Sequence, residues 1–143
     1  MRTYIEHANI TVIDAEHTIK LLLAAAPDWS IRGEGRMDDW FGKAVRWYHV
    51  GDEQTYITIQ NGGDTNAKGW TEHWSGVKHI GIVVESLDDV ITRLSNSGYQ
   101  LDHMGGNHPH RRSVYYVDKH NLQFEFVEYL SEEPALKNDY NLG

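Results

Sequence analysis

Two histidines in two similar stretches are the residues of this sequence that are best placed to do chemistry. His7 lies in IEHANITVID (5–14) and His79 lies in VKHIGIVVES (77–86), 72 positions further along a chain of 143 residues. In both stretches the side chains alternate as they do in a β-strand, and each histidine shares a face with small or polar residues. The matching placement indicates a duplicated unit that carries one histidine in each half.

A glutamate and a glutamine near the ends of two other predicted strands extend this set. Glu125 alternates with Phe124 and Phe126 in QFEFVE (123–128). A carboxylate among aromatic and aliphatic neighbours is costly to bury without a partner, and a divalent cation is one such partner. Gln60, at the end of YITIQ (56–60), is predicted to occupy the matching place in the first half.

Two imidazoles, a carboxylate and an amide oxygen form a donor set that suits Fe(II), Mn(II), Ni(II), Co(II) or Zn(II). The sequence therefore predicts a metal site formed by His7, Gln60, His79 and Glu125. Positions on the ion would remain open for water or substrate.

The elements that must position these residues repeat in the order β-α-β-β-β. Asp14 and Ser86 are predicted N-caps of two helices, each of which follows a first strand and carries one apolar stripe. The predicted fold class is α+β, with module one at about 3–60, a Gly-rich connector at 61–76, module two at about 77–129 and a polar tail at 130–143. One helix covers only one face of each sheet, so we expect the two modules to pair their open faces around a cleft within a single domain.

Composition excludes several other classes. The net charge of −8 argues against a nucleic-acid groove, which needs clustered lysine and arginine. The chain has no cysteine, which excludes disulfides and thiol catalysis, and it has no apolar run of about 20 residues that would span a membrane. The start of the chain lacks the apolar core of a signal peptide, so a cytoplasmic protein is the default expectation.

The pattern RSVYYVDKHNLQFEF (112–126) resembles the vicinal oxygen chelate superfamily, which includes glyoxalase I, extradiol dioxygenases, and fosfomycin- and bleomycin-resistance proteins. The family pattern has an Arg-Ser, an aromatic strand, and a turn before a metal-binding glutamate. Glu125 falls on that glutamate and Asn121 on the turn glycine. His7 and His79 fall on the first-strand ligand positions, and Gln60 on a position that is Glu or Gln in the family.

The resemblance implies an enzyme whose divalent metal ion chelates two adjacent oxygens of a small substrate. In a glyoxalase-like lyase or isomerase, Glu125 or a bound water would move a proton. In an extradiol-type Fe(II) dioxygenase, His7, His79 and Glu125 would form the facial triad, with Gln60 off the metal. A third alternative is a non-catalytic protein that binds a small molecule, such as an antibiotic, on the same fold. Units of this kind often pair, so a homodimer is a further expectation.

Other polar and aromatic residues carry two interpretations each. Arg112 either anchors an anionic ligand group or protects a strand edge, and Tyr56 and Tyr115 either line a substrate pocket or belong to the core. A third group lies near a Gly-rich stretch and either contacts substrate or forms an exposed loop: His103, His108 and His110.

Overall fold

The computed structural model describes residues 1–141. The chain divides into two compact units, the first ending at Asn66 and the second beginning at Ala67. This boundary falls inside the connector predicted at 61–76. None of the helices within residues 1–141 has both the length and the apolar character needed to cross a membrane.

The first unit is a four-stranded sheet with one helix. Its strand order is β1-β4-β3-β2, in which β1 and β4 are parallel and the other neighbours are antiparallel. The elements are β1 (His7–Thr11), α1 (Ala15–Ala25), β2 (Ser30–Trp40), β3 (Lys43–Gly51) and β4 (Tyr56–Gln60).

Helix α1 begins where the sequence predicts. The Asp14 carboxylate accepts a hydrogen bond from the His17 backbone N–H at 3.1 Å, which satisfies one of the free amides of the first turn. The helix packs against β4, and Leu22 and Ile59 are completely buried. Because side chains alternate along a strand, Tyr56, Thr58 and Gln60 lie on the opposite face, which the helix leaves open.

The second unit repeats this architecture and adds a short helix in the tail. Its strand order is β5-β8-β7-β6, with β5 and β8 parallel. The predicted β-α-β-β-β order of each half is therefore confirmed. The elements are β5 (Ile80–Val83), α2 (Leu87–Asn96), β6 (His103–Met104), β7 (Arg111–Val117), β8 (Gln123–Tyr129) and α3 (Pro134–Lys137).

Helix α2 has two caps, one of which the sequence does not reveal. The Ser86 hydroxyl accepts from the Asp89 backbone N–H at 3.2 Å, as predicted. The Glu128 carboxylate also accepts from the Leu87 N–H at 2.7 Å, which places negative charge at the positive end of the helix dipole. The buried face of α2 is Leu87, Val90 and Leu94.

The turn between β7 and β8 fixes the register that positions Glu125. Asn121 has φ 65°, the left-handed conformation expected at the turn-glycine position. The Asp118 carboxylate accepts from the backbone N–H groups of His120 and Leu122 at 2.8 and 2.9 Å. The resulting ladder pairs Tyr115 with Glu125.

Three strands are clearly shorter than the sequence pattern predicts. The sequence pattern predicts a first strand over residues 3–13, and the ladder with β4 runs over His7–Thr11 instead, with the Glu6 carbonyl still accepting from the Tyr56 backbone N–H at 3.0 Å. The pattern also predicts strands over residues 77–85 and 99–103, where the structure has Ile80–Val83 and His103–Met104.

Candidate functional site

A buried carboxylate beside an imidazole is the central feature of the second unit. Glu125 lies in the middle of β8 and is 8 % exposed. His79, one residue before β5, places Nε2 3.4 Å from Glu125 Oε1. Arg111 Nη2 lies 3.5 Å from the other carboxylate oxygen. Both distances exceed those of a good charge-assisted hydrogen bond, so the carboxylate is loosely partnered for a buried group.

The space above Glu125 exists because its neighbour on β5 is a glycine. Gly81 pairs with Glu125 in the parallel ladder. A Cβ at Gly81 would lie 3.6 Å from Glu125 Oε1, so a larger side chain would fill the space above the carboxylate.

Tyr115 contacts both Glu125 and His79. Burial is the main cause that raises the pKa of Tyr115, and its hydrogen bond to Glu125 raises the pKa further. The hydroxyl therefore stays protonated and donates to the carboxylate. The His79 ring meets the Tyr115 ring edge-on, with centroids 5.3 Å apart and planes at 89°.

A cleft of about 410 Å³ opens beside these residues within the second unit. His103 and Trp70 line it together with His79 and Tyr115. The His103 ring lies between Trp70 and Tyr115, with centroid distances of 4.7 and 4.4 Å and nearly parallel planes. Sequence reasoning left His103 between a substrate contact and an exposed loop, and it did not select Trp70.

In the first unit, the open face of the sheet carries a row of stacked rings. His7 stacks on Tyr56 with centroids 4.9 Å apart, and Tyr56 stacks on His49 at 4.3 Å. The Arg32 guanidinium lies 4.4 Å from the centre of the Tyr56 ring. Tyr56 is therefore on the open face, as a substrate contact requires, but rings and a guanidinium of its own unit already surround it.

His7 is oriented by a carboxylate. Its Nδ1 lies 2.9 Å from Glu6 Oε1, and this hydrogen bond is the main cause that lowers the pKa of Glu6. When Nδ1 carries the hydrogen, Nε2 presents its lone pair. A hydrogen bond donated from Nδ1 to Glu6 would thus leave Nε2 of His7 available to a metal ion.

The ladder shows which residue of β4 corresponds to Glu125 of β8. His7 pairs with Tyr56, whereas Gln60 pairs with Thr11, four residues further along the parallel strands. At about 3.3 Å per residue, this offset is about 13 Å. In the second unit Gly81 pairs with Glu125. Gly81 lies two residues after His79 and Asn9 lies two residues after His7, so Asn9 is the counterpart of Gly81.

The residue of the first unit that corresponds to Glu125 is therefore Thr58, which pairs with Asn9. Gln60 corresponds to Val127 instead. In this register the backbones of His7 and Gln60 lie at opposite ends of the paired strands, and Gln60 stays a predicted ligand.

The structure also favours a different arginine from the one predicted to bind substrate. Arg112 donates a hydrogen bond at 3.0 Å to the carboxylate of Asp88, which lies in the first turn of α2. Arg112 therefore lies on the face of the sheet that the helix covers. Arg111 is the arginine that reaches Glu125 on the open face. Neighbouring residues of a strand point to opposite faces of the sheet, and the sequence motif does not show which of the two arginines points to the open face.

The donors that the structure brings together are a pair rather than a full set. Within residues 1–141, no three or more side chains of the His, Cys, Asp or Glu types are grouped closely enough to hold a metal ion. His79 and Glu125 fit two ligands of a divalent cation, since imidazole and carboxylate both suit such ions.

The comparisons with known proteins identify the fold. No protein-family model matches the chain, and no curated protein is significantly similar in sequence. Among solved structures, a glyoxylase/bleomycin resistance protein/dioxygenase domain from Frankia sp. EAN1pec is 21% identical, with a TM-score of 0.70, 97% of this chain covered and 100% of that one. A glyoxalase family protein from Bacillus cereus is 16% identical, with a TM-score of 0.71 and coverage of 92% and 97%.

The fosfomycin resistance protein FosX from Listeria monocytogenes, in complex with Mn(II) and sulfate, is also similar. It is 18% identical, with a TM-score of 0.61, and the match covers 93% of this chain and 98% of that one. At these identities the likeness concerns the fold.

Proposed function

We propose that this chain, which has the fold of the vicinal oxygen chelate superfamily, is a metal-dependent enzyme of the glyoxalase kind. Its substrate is a small molecule with two adjacent oxygen atoms, and its reaction is an isomerisation or a lyase reaction. The observation that carries the proposal is the buried Glu125 carboxylate with the His79 imidazole 3.4 Å away.

The physical argument concerns the charge on Glu125. A buried carboxylate is stable only with a strong partner. The His79 imidazole and the Arg111 guanidinium stand at 3.4 and 3.5 Å, and His79 and Tyr115, which both contact Glu125, line the cleft. A divalent cation held by His79 and Glu125 would add the strong partner that these long contacts and the neutral Tyr115 hydroxyl do not supply.

We assign His79 and Glu125 as two protein ligands and keep His7 as the predicted third. Glu6 fixes His7 in the tautomer that leaves Nε2 free. Gln60 stays in the hypothesis only as a residue to be tested against Thr58, which holds the position equivalent to Glu125. The metal is one of Ni, Co, Zn, Mn or Fe.

A bound divalent ion would stabilise negative charge that develops on a substrate oxygen. The side chains around the cleft would accept the proton and orient the substrate. Tyr115 holds the Glu125 carboxylate by donating its hydroxyl hydrogen, and the carboxylate oxygen that the ion leaves free can accept a proton. Trp70 and Tyr115 provide apolar surface in the cleft that orients a substrate and excludes water.

A non-catalytic small-molecule binder is the second candidate. Two observations favour it: Arg111 already contacts Glu125, and no three-donor group exists within the residues that the structure describes. In this case Arg111 and His79 would hold an anionic ligand without a metal ion.

Calorimetric titration of untagged, chelator-treated protein with Mn(II), Ni(II) or Zn(II) separates the two candidates. The proposal predicts one site per chain for at least one of these ions and a loss of affinity of tenfold or more in His79→Ala and Glu125→Gln. His120→Asn, in the β7–β8 turn, serves as the control and should bind like the wild type. Wild-type protein that binds none of the ions, or variants that bind them all unchanged, would contradict the proposal and favour the binder.

A further inference from the structure

We propose that His103, oriented by Asp102, is a second proton-transfer residue of the cleft in the second unit, alongside Glu125. The inference rests on the proposed function, because the proton in question is the one that metal-assisted enolate chemistry must move. It deepens that function by naming the group that exchanges this proton with solvent.

The first observation is the contact between Asp102 and His103. The Asp102 Oδ2 atom lies 2.6 Å from His103 Nδ1. A carboxylate at this nitrogen fixes the hydrogen on Nδ1, so Nε2 of the neutral ring carries the lone pair. In triads of this kind the carboxylate both orients the imidazole and stabilises the imidazolium that forms when the imidazole accepts a proton.

The second observation is that the ring cannot rotate freely. Trp70 stacks on one face and Tyr115 on the other, with interplanar angles of 16° and 5°. Asp102 N–H donates to the Tyr115 carbonyl at 2.8 Å, which fixes the backbone beside the dyad. A base that is held in one orientation loses less entropy when it reacts.

The third observation is where the ring lies. His103 and His79 both line the cleft, and both contact Tyr115, His103 in a parallel stack and His79 with its ring perpendicular to that of Tyr115. The His103 side chain is 34% exposed, so Nε2 can exchange protons with water. Glu125, with a 10% exposed side chain, is much less accessible to solvent.

The proton-transfer step balances without another reactant. The lone pair on Nε2 takes a proton from the carbon next to the substrate carbonyl, forming an N–H bond. The electron pair of the broken C–H bond becomes the carbon–carbon π bond of the enolate, and the negative charge moves to the carbonyl oxygen. The imidazolium then loses its proton to water or returns one to carbon.

The first test reads the dyad without any activity. Ring-¹⁵N NMR of histidine-labelled protein should show neutral His103 as the Nδ1–H tautomer in the wild type. In Asp102→Asn the side-chain amide offers a donor as well as an acceptor, so the Nε2–H tautomer should gain population. A wild-type ring that is mainly Nε2–H when neutral would overturn the proposal.

The second test follows proton exchange on a probe. Hydroxyacetone has a carbonyl and a hydroxyl oxygen on adjacent carbons, and deuterium uptake at its carbinol carbon in D₂O can be followed by NMR with metal-loaded protein. His103→Asn should slow the exchange by about 10² or more, the usual contribution of a general base. Asp102→Asn should slow it less, and His120→Asn should leave it at the wild-type rate.

The outcomes distinguish this inference from the proposed function. If His103→Asn keeps the metal affinity of the wild type and loses exchange, both stand. If it keeps both metal and exchange, or if metal-loaded wild type gives no exchange, the role of His103 is refuted while the metal site remains. If wild-type protein binds no metal, the proposed function fails and the catalytic role of His103 fails with it.

Discussion

Replacing Glu125 with glutamine should make the metal-free protein more stable and the metal-loaded protein less stable than the wild type. Glutamine keeps the shape of the side chain and still accepts the hydrogen bond from Tyr115, but it removes a charge from a residue that is 8 % exposed. The two neighbouring side chains remain in contact with solvent, because His79 and Arg111 are 35% and 34% exposed.

The expected size follows from the long contacts. The charge of a buried carboxylate carries a desolvation cost that contacts at 3.4 and 3.5 Å offset only in part, and the side chains that would lose this partner are about one-third exposed. Removing the charge should therefore stabilise the metal-free chain by about 1 kcal/mol. For a chain of this length, this corresponds to a Tm increase of about 3 °C. A metal at 100 times its Kd stabilises the wild type by about 2.7 kcal/mol, and Glu125→Gln should lose most of that gain.

Thermal unfolding followed by circular dichroism, with chelator and then with Mn(II), measures both effects. The Tm order of wild type and Glu125→Gln should reverse between the two conditions. The reasoning would be refuted if Glu125→Gln lowered the Tm in chelator, since Glu125 would then be a structural partner of Arg111 and not a carboxylate in need of a cation.

Two further predictions concern one position in each unit, Gly105 in the second and His49 in the first. Gly105→Ala should lower the free energy of unfolding in urea by about 1–3 kcal/mol, because the new Cβ would lie 1.9 Å from Ser113 Oγ. Gly106→Ala is the control and should cost much less, because its Cβ would meet no atom within 4 Å. Equal losses of stability in the two variants would contradict this reasoning. Burial is the main cause that lowers the pKa of His49 below its ordinary 6.5, and the charge of Arg32 lowers it further. The pKa of His49, measured by NMR titration, should therefore rise in Arg32→Gln. The unfolded chain binds more protons at His49, so this residue's contribution to stability is present above pH 6.5 and is lost as the pH falls below that value.

The sequence predicts those features that depend on local pattern or on the repeat. Alternating strands, helix caps at Asp14 and Ser86, and the left-handed turn at Asn121 each have a local cause, and all appear in the structure. The proximity of His79 to Glu125 was predicted from the repeat and from the family motif, and the ladder between β5 and β8 explains it.

The remaining features depend on register, which a single sequence fixes poorly. Gln60 was matched to Glu125 by its place at a strand end, but only the ladder shows that Thr58 holds that position. Arg111 and Arg112 point to opposite faces of the sheet, and the sequence motif does not show which of them points to the open face. Trp70 and Tyr115 are 45 positions apart in the sequence, so their stacking around His103 has no local signal.

Paramagnetic broadening by Mn(II) is the measurement that tests the metal site most directly. Substoichiometric Mn(II) added to ¹⁵N- and ¹³C-labelled protein should broaden the resonances of His79, Gly81 and Glu125 first, and broadening of His7 would identify the third ligand. The account would be contradicted if these resonances stayed sharp while those of an acidic turn, such as Asp52 and Glu53, broadened instead.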